Sequence, residues 1–124
     1  MIALSGHRDL LAWQQSMTLA RNVYAATANS FSEGSNDLVL QIRRSAVSIA
    51  TAIAEGAARH RASEFRQLLS AARATLSELE TQVMIATDLR ILSGNVPLEQ
   101  EILELRQLLS ALIRKLSERQ PLVG

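Results

Sequence analysis

The chain has 124 residues, a formal net charge of +1, 48% hydrophobic and 3% aromatic residues, and no cysteine. A chain of this length builds one hydrophobic core, so a single domain over residues 1–124 is expected. The lack of cysteine excludes disulfides, thiolate metal sites and cysteine nucleophiles, and the composition is that of packed helices rather than of a sandwich or barrel.

Asp9 reads as the N-cap of a first helix over about 10–29, with Leu10, Trp13, Met17, Ala20 and Tyr24 as its core stripe. The run from Ser30 to Asn36 contains Gly34 and breaks the periodicity, and Ser35 or Asn36 can cap a second helix over about 37–57. That helix buries Leu38, Ile42, Ala46, Ile49 and Ile53, and Val39, Val47, Ala50, Ala54 and Ala57 widen its apolar arc. One polar stripe remains, made of Asp37, Gln41, Arg44, Ser48, Thr51 and Glu55. Arg43 falls within the wide arc and needs a carboxylate or carbonyl partner if buried. Gly56 suits a C-cap.

A third helix is expected over about 63–92, with Phe65, Leu68, Leu69, Ala72, Leu76, Leu79, Val83 and Ala86 on its core face. Ser93-Gly94-Asn95 terminates it, and Pro97 opens a fourth helix over about 97–119. Leu98, Ile102, Leu105, Leu109, Leu112 and Leu116 follow a heptad there, widened by Leu103, Leu108 and Ile113. Four amphipathic helices with short links predict an all-α, antiparallel up-down four-helix bundle. The apolar segments are interrupted by charge before the ~18 residues that a membrane span requires. The apolar part of Met1–Gly6 is too short for a signal peptide, so a cytoplasmic protein without a membrane partner is expected.

Little in the chain points to catalysis. His7 lies near a terminus and His60 in a predicted turn, so neither lies on a helix face with carboxylates at ligand spacing. The Glu-x-x-His pairs of di-iron bundles are absent. The Arg-x4–6-His pattern of helical ribonucleases fails because Ile53, Ala54 and Glu55 occupy the positions where arginine would stand ahead of His60. No glycine-rich phosphate loop or nucleophile elbow occurs, so a non-enzyme without cofactor or metal is expected.

Charge is unevenly placed. Residues 41–73 hold six arginines against Glu55 and Glu64, while the remainder holds seven basic and ten acidic residues. Twelve of the thirteen cations are arginine, which favours bidentate pairing with carboxylate or phosphate.

Several of these segments resemble the four-helix-bundle family of proteins encoded in intervening sequences of bacterial 23S ribosomal RNA. Asp9-Leu10-Leu11-Ala12-Trp13-Gln14 is similar to its Asp-Leu-x-Val-Trp-Gln opening, and Gln41-Ile42-Arg43-Arg44 to its Gln-Ile-Arg-Arg run. Ser48-Ile49 with Ile53-Ala54-Glu55-Gly56 resembles its Ser-Ile-x-x-Asn-Ile-Ala-Glu-Gly signature. Phe65 and Glu78-Leu79-Glu80-Thr81-Gln82 match its Glu-Phe and Glu-Leu-Glu-x-Gln positions. The chain departs from the pattern at Ala52 (asparagine in the family), at Ala74-Thr75 (Gly-Ser) and at Ser32 (proline). The resemblance implies a bundle that assembles into a pentameric ring. It also extends to accessory proteins of diversity-generating retroelements, which bind a reverse transcriptase and nucleic acid.

Two functions fit these residues. In one, a non-catalytic homo-oligomeric adaptor binds RNA, DNA or a nucleic-acid enzyme such as a reverse transcriptase through a basic rim of Arg59, Arg61, Arg66 and Arg73. In the other, a structural or protein-binding oligomer has no nucleic-acid ligand. Arg44, Glu55, Glu78 and Gln82 are the candidates for a structural polar network between helices two and three. The aromatic residues Trp13, Tyr24, Phe31 and Phe65 read as core or staple residues, which leaves few rings for base stacking.

Overall fold

A computed structural model describes residues 6–92 and 97–119. Among these residues a 3-10 turn, Gly6–Asp9, precedes four α-helices: α1 (Leu11–Ala26), α2 (Asn36–Ala57), α3 (Ala62–Asp88) and α4 (Leu98–Arg119). Each helix packs on its chain neighbours, α1 closes the ring with α4, and the backbones of the diagonal pairs, α1 with α3 and α2 with α4, stay apart across the core. Side-chain bonds fix the direction of the third and fourth helices. Arg66 reaches Ser117, Arg73 reaches Ser110 and Arg106 reaches Glu80, so residue numbers rise on α3 as they fall on α4. The fold is the expected all-α, up-down four-helix bundle.

The core draws on all four helices. Leu19 and Val23 of α1, Ile42, Ile49 and Ile53 of α2, Leu69, Leu76 and Leu79 of α3, and Ile102, Leu105 and Leu109 of α4 are fully buried. Burial of such aliphatic side chains, each contributing roughly 1.5–3 kcal/mol, supplies the main driving force. On α2, all six residues of the expected polar stripe are exposed. On α3 every expected core residue except the half-buried Leu68 is buried.

The first helix departs from its expected phase. Its buried residues are Ala12, Ser16, Leu19, Val23 and Ala26, whereas Trp13, Met17 and Ala20 are half-buried and Tyr24 is 46% exposed. Ala12, Ser16 and Ala26 share the core-facing stripe with Leu19 and Val23. The hydroxyl of Ser16 is buried without penalty because it donates to the Trp13 carbonyl at 2.6 Å. The bulky residues flank the seam rather than fill it.

Several boundaries also move. The N-cap of α1 is the extended Leu10, one residue after Asp9, and the helix ends three residues short of Asn29 with Thr27 as its C-cap. Gly56 is not a C-cap: it lies inside α2, whose cap is Ala58. A Cβ built on Gly56 would lie 2.7 Å from Phe65 Cδ1 and 3.2 Å from Leu68 Cβ, so the glycine is needed for the close crossing of α2 and α3. The third helix stops at Asp88, four residues before the expected end. Arg90 takes φ 59°, its amide donates to the Thr87 carbonyl, and the Ile91 amide donates to the Ala86 carbonyl. That double bond is a Schellman motif with arginine where glycine is usual. The expected terminator Ser93-Gly94-Asn95 lies outside the described residues. Pro97 precedes α4 and accepts the Glu101 amide through its carbonyl, so it occupies the cap rather than the first turn.

Candidate functional site

Two surfaces stand out, one on each side of the bundle. The first is a groove of about 440 Å³ between α1 and α2, lined by Tyr24, Leu40, Arg43, Arg44, Val47 and Ser48. Leu40 and Val47 are seven residues apart and therefore share a face of α2, and both are exposed. Arg43 has the carbonyl partner that its place in the apolar arc requires. Its Nε donates to Thr27 Oγ1 at 2.8 Å and an Nη donates to the Thr27 carbonyl at 3.3 Å. The guanidinium carbon lies 4.3 Å from the centre of the Tyr24 ring and 4.7 Å from that of Phe31. The cation thus caps the last carbonyls of α1, where the helix dipole favours positive charge, and stacks against two rings. Tyr24 and Phe31 are not core residues, as their sequence context suggested. They are exposed and hold Arg43.

A loop of hydroxyls supports this end of the bundle. Thr27 Oγ1 donates to the Val23 carbonyl, Ser30 Oγ donates to the Ile91 carbonyl at 2.6 Å, and Ser35 Oγ donates to the Ser30 carbonyl at 2.7 Å. All three side chains are buried and partnered, so the segment after α1 is fixed both to its own helix and to the end of α3. Gly34, at φ 93°, provides the left-handed turn that leads into α2.

The second surface is a seam along α3 and α4. Arg66 donates to Ser117 Oγ and Arg73 to Ser110 Oγ, both at 3.2 Å, while Arg106 donates to Glu80 at 2.8 Å. Arg66 and Arg73 are consequently half-buried between two helices instead of lying on an outward line of α3. Arg59 and Arg61 are exposed at the α2–α3 turn. The four arginines of the expected rim therefore divide into two that are exposed and two engaged with α4. Arg66 Nε is buried and has no acceptor among the described residues.

Of the four residues expected to form a polar network, Arg44, Glu78 and Gln82 line one groove of about 280 Å³ with Gln41, Ser45, Ser48 and Thr75. The hydrogen bond across it runs from Ser45 Oγ to Gln82 Oε1 at 3.0 Å. Glu55 is exposed and outside that groove. Ser45, a buried serine inside an aliphatic stripe, is the residue that sequence reasoning missed; its seven-residue spacing from Ala52 and Leu38 was the available signal.

On the α1–α4 side, Asn22 Nδ2 donates to Glu101 Oε2 at 2.7 Å, and Glu101 Oε1 is buried without a partner. Burial holds the Glu101 carboxyl above the usual carboxylate range; the Asn22 bond opposes this and the Glu104 charge adds to it. Among the described residues no group of three or more His, Asp or Glu side chains could hold a metal ion. None of the described helices is long and apolar enough to cross a membrane.

A family model described as 23S rRNA-intervening sequence protein matches residues 8–117. The chain belongs to that family. The match runs from the 3-10 turn into the last turns of α4 and so takes in both surfaces. No curated protein sequence matches the chain.

Proposed function

We propose that this member of the 23S rRNA-intervening sequence family is a non-catalytic homo-oligomeric adaptor. The observation that carries the reading is the α1–α2 groove, where Tyr24, Leu40 and Val47 remain exposed after the bundle has closed its own core. Apolar side chains gathered in one place on a finished fold mark a surface that a protein covers. A closed ring covers such surfaces on every copy, and a pentamer is the ring that the family resemblance implies. Light scattering of the pure protein tests the reading: a mass several times 13.6 kDa is expected, and a monomer at micromolar concentration would overturn it.

For the adaptor's ligand, the basic rim supports RNA or DNA, alone or with a nucleic-acid enzyme such as a reverse transcriptase. Arg59 and Arg61 are exposed, and Arg66 and Arg73 each spend one guanidinium nitrogen on a serine, leaving other donors for phosphate. Repeated around a ring, these groups contact many phosphates, so affinity is expected to tolerate sequence changes and fall steeply with salt. Titration of labelled RNA and DNA at low salt, with the Arg66→Ala/Arg73→Ala variant expected to flatten the salt slope, is the measurement. The second reading, a protein-binding oligomer without nucleic acid, is favoured by the engagement of Arg66 and Arg73 with α4. Absence of binding to either nucleic acid would select it.

A further inference from the structure

The α1–α2 groove lacks negative charge. Two guanidinium groups, Arg43 and Arg44, lie among its apolar walls, and no acidic residue lines it. Arg43 is fixed in advance by Thr27 and the two rings, so little ordering remains to be done when an anion arrives. Arg44 is exposed and forms no ion pair among the described residues. The complement of such a groove is an apolar side chain flanked by carboxylates.

The chain carries that complement on α4. Leu103 is 44% exposed, Glu104 follows it and Glu99 lies one turn before it, and both glutamates are exposed. Neither carboxylate is in an ion pair among the described residues; Glu104 only accepts a 3.3 Å bond from Gln100. Leu103 cannot reach the groove of its own molecule, because α4 lies diagonally opposite α2 with the core between their backbones. We infer that the α1–α2 groove receives the outer face of α4 from a second copy of this chain. Leu103 enters between Tyr24, Leu40 and Val47, and Glu99 and Glu104 face Arg43 and Arg44. The contact joins two different surfaces, so each copy both offers α4 and accepts one, and assembly proceeds head to tail until the rotation closes a ring. Charge pairs at the edge of the contact make the association sensitive to salt.

This inference rests on the oligomeric reading above, and one experiment separates the two. Light scattering over a concentration series is run on the wild type, on Arg44→Glu, on Glu104→Arg and on the doubly reversed chain. Circular dichroism confirms that each of these exposed substitutions leaves the bundle folded. Each single reversal is expected to raise the apparent dissociation constant at least tenfold, and the double reversal to recover most of that loss, because the pair is restored with its signs exchanged. Recovery is the outcome that a general loss of stability would not give. A wild-type oligomer whose mass ignores both single reversals, or a double reversal no better than the singles, would overturn this interface while leaving the oligomer standing. A monomeric wild type would overturn both.

Discussion

Gly56→Ala tests whether the α2–α3 crossing depends on the missing side chain. Alanine inside a helix is worth at most ~1 kcal/mol over glycine, so propensity alone predicts a more stable protein. Packing opposes it. The added carbon would stand 2.7 Å from Phe65 Cδ1 and 3.2 Å from Leu68 Cβ, and neither neighbour is free to yield. Phe65 is buried, and a Cβ moves only with its backbone. Forcing an extra carbon into a packed core costs about 1–3 kcal/mol, so the net expectation is a loss of about 1 kcal/mol, or a fall in Tm of about 2–8 °C. Urea unfolding followed by circular dichroism measures it, at one fixed protein concentration because assembly raises apparent stability by mass action. Phe65→Leu in the Gly56→Ala background should recover at least ~0.5 kcal/mol beyond additivity, since the two residues share one contact. A gain of about 1 kcal/mol for Gly56→Ala, or strict additivity with Phe65→Leu, would refute the packing argument.

Three further outcomes follow from single residues. The Glu101 carboxyl is held above its ordinary range, so the folded state keeps that proton more firmly than the unfolded chain. The associated stability is full at acid pH and is lost as pH rises through the folded value. Glu101→Gln should therefore be more stable than wild type at pH 7, with the advantage shrinking towards pH 4 in parallel urea titrations. Arg90→Gly relieves a left-handed non-glycine residue and should add about 0.5–1 kcal/mol, whereas Arg90→Ala should add nothing in the same thermal melts. Glu55→Ala should change stability by less than ~0.5 kcal/mol in chemical denaturation, because the side chain is exposed and has no ion pair among the described residues.

The bundle was legible in the sequence because the large aliphatic residues that α2, α3 and α4 bury recur at strict helical spacing. The phase of α1 was not, because Ala12, Ser16 and Ala26 face the core and hydropathy gives small or hydroxylated residues little weight. Helix ends failed for a related reason: Arg90 carries out the turn expected of glycine, and Gly56 serves packing rather than termination. The site was legible in part. The wide apolar arc of helix two marked Arg43 as a residue in need of a partner, but its stack with Tyr24 and Phe31 joins three segments that spacing along one helix does not connect. The destination of Arg66 and Arg73 on α4 serines depends on the register of two helices, which no single-helix pattern contains.

The two long seams of the bundle are closed by different means, and this sets the order in which the molecule breathes. The α2–α3 seam is a close crossing over Gly56 and is the most extensive helix pair. The outer α3–α4 seam is spanned by two arginine-to-serine bonds and the partly exposed Arg106–Glu80 pair, which water replaces at small net cost. Amide protons of α4 are therefore the ones to exchange through partial opening, with α2 and α3 retained as a paired unit until global unfolding.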